Sequence, residues 1–197
     1  MIIYFVRHGE SEANIKGIYP TDSTPLTSRG VDQARTVGKV LRSIKVDSVI
    51  SSPALRATQT AEQIAQELGL KVEVDDRFRE VGLGSLQGKS LSVSPERDVE
   101  LMDEYYGDGA KYGIEKLNQL QVRILSGVTE IHSTGKKIVV IVSHQAPIRA
   151  AIALALGSAG KWLARIPVEN ASISIMKFDG GRFSLACVNW KPVEMYS

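Results

Sequence analysis

Short apolar runs bounded by polar residues recur along this chain at wide intervals. Ile2 to Val6 is rich in β-branched and aromatic residues, and Val46 to Ser51, Lys71 to Asp75 and Lys137 to Ser143 resemble it. Runs of this length fit strands buried on both faces, as in a parallel sheet. Between them the period lengthens. Thr27 to Ser43 carries Val31, Ala34, Val37, Val40 and Leu41 at helical spacing, and Pro53 to Leu68 reads as a second helix ending at Gly69. Tyr112 to His132 places Leu117, Leu120, Ile124, Leu125 and Val128 on one stripe, and Pro147 to Leu156 forms a fourth helix.

The last segment differs in rhythm. Ala171 to Phe178 and Arg182 to Val188 flank Asp179, Gly180 and Gly181, the residue types of a tight hairpin turn, so an antiparallel pair is expected at one edge. Asp76 to Gly109 has no clear period and contains Gly82, Gly84, Gly88, Pro95, Gly107 and Gly109, which suggests an excursion over the sheet. The pattern predicts an α/β fold: a three-layer α/β/α sandwich whose mixed sheet is mostly parallel and ends in the hairpin. It also predicts a single domain over 1–197 with a small cap insertion at about 76–112.

Composition narrows the class. A chain of 197 residues can bury roughly 70% of its unfolded surface, and 43% hydrophobic with 23% charged residues excludes disordered and fibrous classes. The 24 basic and 22 acidic residues are spread along the chain without a basic block. A nucleic-acid footprint would be denser, so no nucleic-acid partner is expected. The single Cys187 cannot form an internal disulfide and reads as a buried structural thiol in a reducing compartment. Ile2 to Val6 is too short for a signal-peptide core or a membrane span, so a cytoplasmic protein with no membrane partner is expected.

In open α/β sheets ligands bind beyond the carboxyl ends of the strands. The residues following the four predicted strands are Arg7, His8 and Glu10; Pro53 and Arg56; Arg77, Arg79 and Glu80; and His144. Two of the chain's three histidines fall there. Arginine forks bind phosphate oxygens and stay charged, a neutral imidazole can attack phosphorus, and a carboxylic acid can protonate a departing alkoxide. The set is therefore coherent for phosphoryl transfer. The ordinary alternative is a strand end at the surface, a helix cap and solvated charges, which would suit each residue taken singly. His132, in a polar stretch near a helix C-terminus, is assigned to a surface turn without a functional role.

The run Val6-Arg7-His8-Gly9-Glu10-Ser11-Glu12-Ala13-Asn14 resembles the signature of the histidine phosphatase superfamily, also called the phosphoglycerate mutase-like family. Further resemblances follow in order: Asp22 to Thr27 with Gly30, Gln33 and Ala34; Ser51 to Ala61 around Arg56; Phe78-Arg79-Glu80 with Gly84 and Gly88; Val142-Ser143-His144; and Asn170-Ala171-Ser172. The resemblance implies a mixed sheet flanked by helices and a reaction through a phosphohistidine on His8. Arg7, Arg56 and His144 would form the phosphate pocket, Asn14 would add a hydrogen bond, and Glu80 would act as proton donor and then as base for water. Neither a metal nor a cofactor is implied.

Three features depart from the family pattern. Gln145 stands where many members have glycine and could add a hydrogen bond near the phosphate; the Gly17 to Pro25 stretch is about one residue short, leaving Tyr19 and Thr21 open as substrate contacts; and Gln87 leans toward mutases. The paired-arginine and tyrosine segment with which mutases of this family grip their substrate is not found. Between Gly88 and Gly113 the basic residues are Lys89, Arg97 and Lys111, against Glu96, Asp98, Glu100, Asp103, Glu104 and Asp108. A cap of that charge repels polyanions, and without a tight grip water reaches the phosphohistidine. The reading is therefore a phosphatase acting on a small phosphorylated substrate. A cofactor-dependent phosphoglycerate mutase is the alternative, and a weakly active phospholigand-binding module comes third. Tyr105, Tyr106 and Tyr112 are expected in the core of the cap, and the hairpin edge is a candidate surface for a homodimer.

Overall fold

The strands among the described residues are β1 (Ile2–Arg7), β2 (Ser48–Ser51), β3 (Val72–Val74), β4 (Ile138–Ser143), β5 (Ile173–Phe178) and β6 (Phe183–Trp190). They form one six-stranded sheet in the order β3-β2-β4-β1-β5-β6. The first four pair in parallel, and β5 and β6 join as the antiparallel hairpin. The computed structural model describes residues 1–91, 101, 105 and 111–192.

The strand side chains alternate between two cores, which makes the fold a three-layer sandwich. Ile3 and Phe5 of β1 join Val139 and Ile141 of β4 against α4 (Leu117–Ser133) and α5 (Gln145–Leu156). Val6 joins Val140 and Val142 against α2 (Ser28–Leu41) and α3 (Leu55–Leu68) on the opposite face. Strands with both faces covered need apolar residues throughout, which is why these runs show no polar alternation.

The element ends depart from the sequence expectation for local reasons. The Thr27 hydroxyl accepts the Gly30 amide at 3.0 Å and caps α2. Gly69, at φ 68°, ends α3 in the left-handed conformation that glycine adopts without strain. Helix α4 starts five residues later than its period suggests, because residues 112–115 are paired with the preceding loop. Tyr112 O accepts from the Ser85 amide and Gly82 O from the Glu115 amide, both at 2.8 Å. Helix α5 starts two residues earlier than expected, since Pro147 is tolerated within a first turn. The short α1 (Glu12–Lys16) gave no periodic signal; Asn14 Oδ1, which accepts from both the amide and the hydroxyl of Ser11, holds its start.

Only part of the expected cap is described. It includes two 3₁₀ turns, Asp76–Phe78 and Gly84–Leu86, and helical Leu101 and Tyr105. Pro95, Gly107, Gly109, Tyr106, Arg97 and the acidic residues Glu96, Asp98, Glu100, Asp103, Glu104 and Asp108 lie outside the described residues. Cys187 on β6 is half-buried rather than fully enclosed. Among the described residues no helix is long and apolar enough to cross a membrane.

The register brings the polar strand ends together. Arg7 lies opposite Ser143 and Ser51 opposite Val142, so the next residues, His8, His144 and Ser52, emerge at one edge of the sheet. The turn after β1 is then pressed against the start of α2. A Cβ on Gly9 would collide with the Gly30 carbonyl, and one on Gly30 with the Glu10 carbonyl. Neither chain can retreat, since the Thr27 amide bonds Glu10 O at 2.9 Å. Gly30→Ala is expected to cost about 1–3 kcal/mol by overpacking. Urea denaturation would read this directly, and an unshifted midpoint would show that the two backbones can separate freely.

Candidate active site

His8 is 3% exposed at the end of β1. Its Nδ1–H donates to Gly9 O at 2.7 Å, so the lone pair lies on Nε2. That lone pair accepts from Arg56 Nε at 3.2 Å. The same guanidinium donates through Nη2 to His144 Nδ1 at 3.0 Å and through Nη1 to Thr21 O at 2.9 Å. With Nδ1 of His144 accepting, its Nε2–H donates to Ser52 Oγ at 2.7 Å. The two imidazole centroids lie 5.2 Å apart.

Each of these side chains is placed by a neighbouring element. Arg56 sits in the first turn of α3, and its carbonyl takes the Thr60 hydroxyl at 2.7 Å. Thr60 Oγ1 in turn accepts the Gly9 amide at 3.0 Å, tying α3 to the turn that carries His8. From the hairpin side, Asn170 Nδ2 donates to the carbonyls of His8 and Gly9 and to Asn14 Oδ1 at 3.1–3.2 Å. Asn14 Oδ1 is therefore fully engaged, and the amide NH₂ is what Asn14 has left to offer a ligand.

Electrostatics set the protonation states. Burial, then the charges of Arg56 and Arg7, hold the His8 imidazole well below its usual range. His144 is lowered in the same sense, by burial and then by Arg56. Arg7 and Arg56 are themselves lowered by desolvation, although a guanidinium stays charged. Arg7 Nη1 donates to Val168 O at 2.6 Å while its buried Nε has no partner. Among the described residues neither arginine forms an ion pair. One buried and one half-buried guanidinium beside two neutral imidazoles give the site an excess of positive charge that an anion would neutralise.

Glu80 supplies the carboxylate. Its Oε1 accepts the amides of Val81 at 3.0 Å and Ala146 at 3.2 Å, and Oε2 has no hydrogen bond among the described residues. Arg7, His8, Asn14, Glu80 and Gln145 line one cleft of about 290 Å³, with Tyr19 and Tyr105 on its wall. Tyr105 thus serves both the core, as expected, and the cleft. Arg77 and Arg79 are spent elsewhere: Arg77 pairs with Asp75 and Glu130, and Arg79 with Asp76. Glu10 turns away toward Thr27 and Arg29. His132 belongs to the last turn of α4, edge-on to the Phe178 ring at 5.4 Å. No group of three or more His, Cys, Asp or Glu among the described residues is arranged to hold a metal ion.

Arg123 was not singled out in the sequence, where a charged helix residue suggests a solvated face. It donates to Arg77 O, Arg79 O and Glu80 O at 2.6, 2.8 and 3.0 Å, and pairs with Glu115 at 2.6 Å. It therefore clamps the backbone of the Glu80 loop. Arg123→Gln would leave Glu115 and these carbonyls without their cation, at an expected cost of about 3 kcal/mol in urea denaturation. Arg123→Gln/Glu115→Gln should recover part of that loss, and a fully additive double variant would refute the pairing.

The two neutral imidazoles also predict a pH dependence of stability. Unfolded histidines take up protons below about pH 6.5, whereas His8 and His144 in the folded protein do so only at lower pH. The unfolded chain then binds more protons, so stability holds above that pH and falls as pH drops, by up to about 1.4 kcal/mol per pH unit per imidazole. His144→Asn should flatten this slope between about pH 6.5 and 5. An unchanged slope would mean that His144 is not held neutral.

The sequence model of the histidine phosphatase superfamily (branch 1) matches residues 3–191. A Hydrogenobacter thermophilus protein, provisionally named phosphoserine phosphatase 2, is 30% identical over 95% of this chain and 94% of its own. The 2,3-bisphosphoglycerate-dependent phosphoglycerate mutase of Thermoplasma acidophilum is 31% identical over 92% and 89%. A mycobacterial glucosyl-3-phosphoglycerate phosphatase, solved with VO3, superposes with a TM-score of 0.83 at 25% identity, covering 95% of this chain and 98% of that one. The chain belongs to the histidine phosphatase superfamily, branch 1.

Proposed function

We propose that the protein is a phosphomonoester phosphatase that works through a phosphohistidine on His8, without a metal or an organic cofactor. The observation that carries this reading is the single guanidinium of Arg56 held between the acceptor nitrogens of two neutral imidazoles, at 3.2 and 3.0 Å. A bound phosphate draws the Arg56 donors away from the rings. Arg56 and Arg7 then take its oxygens, the Asn14 NH₂ and Gln145 amide add hydrogen bonds, and His144 approaches from the opposite side.

His8 Nε2 attacks phosphorus as the ester oxygen leaves, and protonated Glu80 gives that oxygen its proton, so the alcohol departs neutral. Glu80, now a carboxylate, takes a proton from water as the hydroxyl attacks the phosphohistidine. The N–P bond breaks, inorganic phosphate forms, and His8 returns to its neutral state. The insertion beginning near residue 76 serves as the cap, since Leu83, Leu86, Leu91 and Leu101 line the same cleft as His8.

The mutase relative and Gln87 support a second reading, interconversion of phosphoglycerates. It requires cations for the substrate carboxylate and second phosphate, and Arg7 is the only cationic side chain that faces this cleft among the described residues. Phosphate release from p-nitrophenyl phosphate in the presence of chelator is expected. Efficient 3-phosphoglycerate interconversion with little phosphate release would overturn the phosphatase reading.

His8→Ala should abolish both phosphate release and acid-labile phosphoprotein; retained turnover would remove His8 as nucleophile. Glu80→Gln should lower kcat/KM, which reports the step that releases the alcohol, about 100-fold for alkyl phosphates. The loss should be clearly smaller for p-nitrophenyl phosphate, whose leaving group needs less protonation. Equal losses on both esters would show that Glu80 is not the acid.

A further inference from the structure

The cleft lined by Arg7, His8, Asn14 and Gln145 is apolar where the alcohol half of a substrate would lie. Ile18, Val81, Leu83, Leu91, Leu101 and Ile114 form its wall, and its only charged lining residues among those described are Arg7 and Glu80. Arg7 is committed to the phosphate end and Glu80 to the departing oxygen. Among the described residues no further cation lines this cleft to meet a carboxylate or second phosphate on the alcohol; Arg79 and Arg123, in the adjoining groove that shares Pro20, Glu80, Val81 and Leu83 with it, are paired with Asp76 and Glu115. Leu91 is 41% exposed, and the backbone pairing of residues 17–19 with 88–91 holds that part of the wall in place. The volume, about 290 Å³, lies at the small end of ligand sites.

We infer that the substrate is the phosphate monoester of a small apolar alcohol, alkyl or aryl, rather than a phosphorylated hydroxy acid or amino acid. This inference rests on the phosphatase reading and specifies which ester the site selects. An apolar alcohol half gains its transfer free energy from the leucine and isoleucine wall. A carboxylate there would be desolvated without a partner, which is costly. Selectivity of this kind comes from what the wall lacks as much as from what it contacts.

The test uses alcohols of matched acidity, so that leaving-group chemistry does not mimic binding. Along ethyl, propyl, butyl and hexyl phosphate, kcat/KM should rise about threefold per methylene, in line with burial of each CH₂. Hexyl phosphate should exceed O-phosphoserine and 3-phosphoglycerate by at least about tenfold, and Leu91→Lys should narrow that ratio by a similar factor. Leu101→Ser should flatten the series should Leu91→Lys fold poorly.

A flat series, or preference for O-phosphoserine or 3-phosphoglycerate, would overturn the inference and leave the phosphatase reading intact. Alkylphosphonates, titrated calorimetrically, separate the two claims. No hydrolysis of any ester, with hexylphosphonate binding more tightly than ethylphosphonate, would overturn the phosphatase reading and support the apolar site. No hydrolysis and no chain-length dependence would overturn both.

Discussion

Burying a guanidinium is tolerable only when its donors find acceptors, and Arg56, 1% exposed, finds them in His8, His144 and Thr21. Two of those acceptors are ring nitrogens that can accept only while deprotonated. This interaction thus favours acceptor tautomers on both rings, adds to burial in keeping the imidazoles neutral, and ties the residues that follow β1 and β4 to the first turn of α3. Of the five N–H bonds of a guanidinium, three are used in this way. The remainder, with the unpaired Nε of Arg7, give the buried charge its capacity for an anion.

That arrangement depends on backbone spacing. Parallel pairing of β1, β4 and β2 delivers His8, His144 and Ser52 to the same edge, but it does not by itself orient the His8 ring. Orientation comes from the Gly9 carbonyl, and Gly9 can take its position only because it and Gly30 lack side chains where the two backbones meet. Asn170 then ties the same two carbonyls to Asn14. The glycines of the motifs are therefore requirements of packing, whereas the histidines and arginines are requirements of charge. A scaffold of this kind pre-organises the hydrogen-bond donors of the site.

The sheet and the candidate site were legible in the sequence to different depths. Apolar runs such as Ile2 to Val6 announce buried strands because both faces need covering, and residues just past them inherit the ligand edge by topology. That logic finds Arg7, His8 and His144 with no knowledge of contacts. It cannot find Arg123, whose importance lies in three backbone carbonyls of a loop distant in sequence. It also overcounts, since Arg77 and Arg79 follow a strand just as Arg7 does, yet they spend their charge on surface carboxylates. Helix ends failed where tertiary pairing intervened, as at residues 112–115, held by the Glu80 loop rather than by α4. Local period carries no record of such bonds.

The two ends of the cleft answer to different constraints. The end proposed to take the phosphate is built from strand termini and first helical turns, where a displacement of any one group disturbs the bonds of the others, so its residue types are nearly dictated. The proposed alcohol end is lined by Ile18, Val81, Leu83, Leu91 and Ile114, none of which takes part in the Arg56 network. Exchange of Ile18, Leu83 or Leu91 for polar residues would remove no hydrogen bond of the Arg56 network. A family can therefore keep one chemistry while changing its esters, and the motifs that identify the chemistry carry no information about the ester. On the reading proposed above that information would reside in the apolar wall, because a wall with no further cation among the described residues discriminates through the unpaired charge it would force on the wrong substrate.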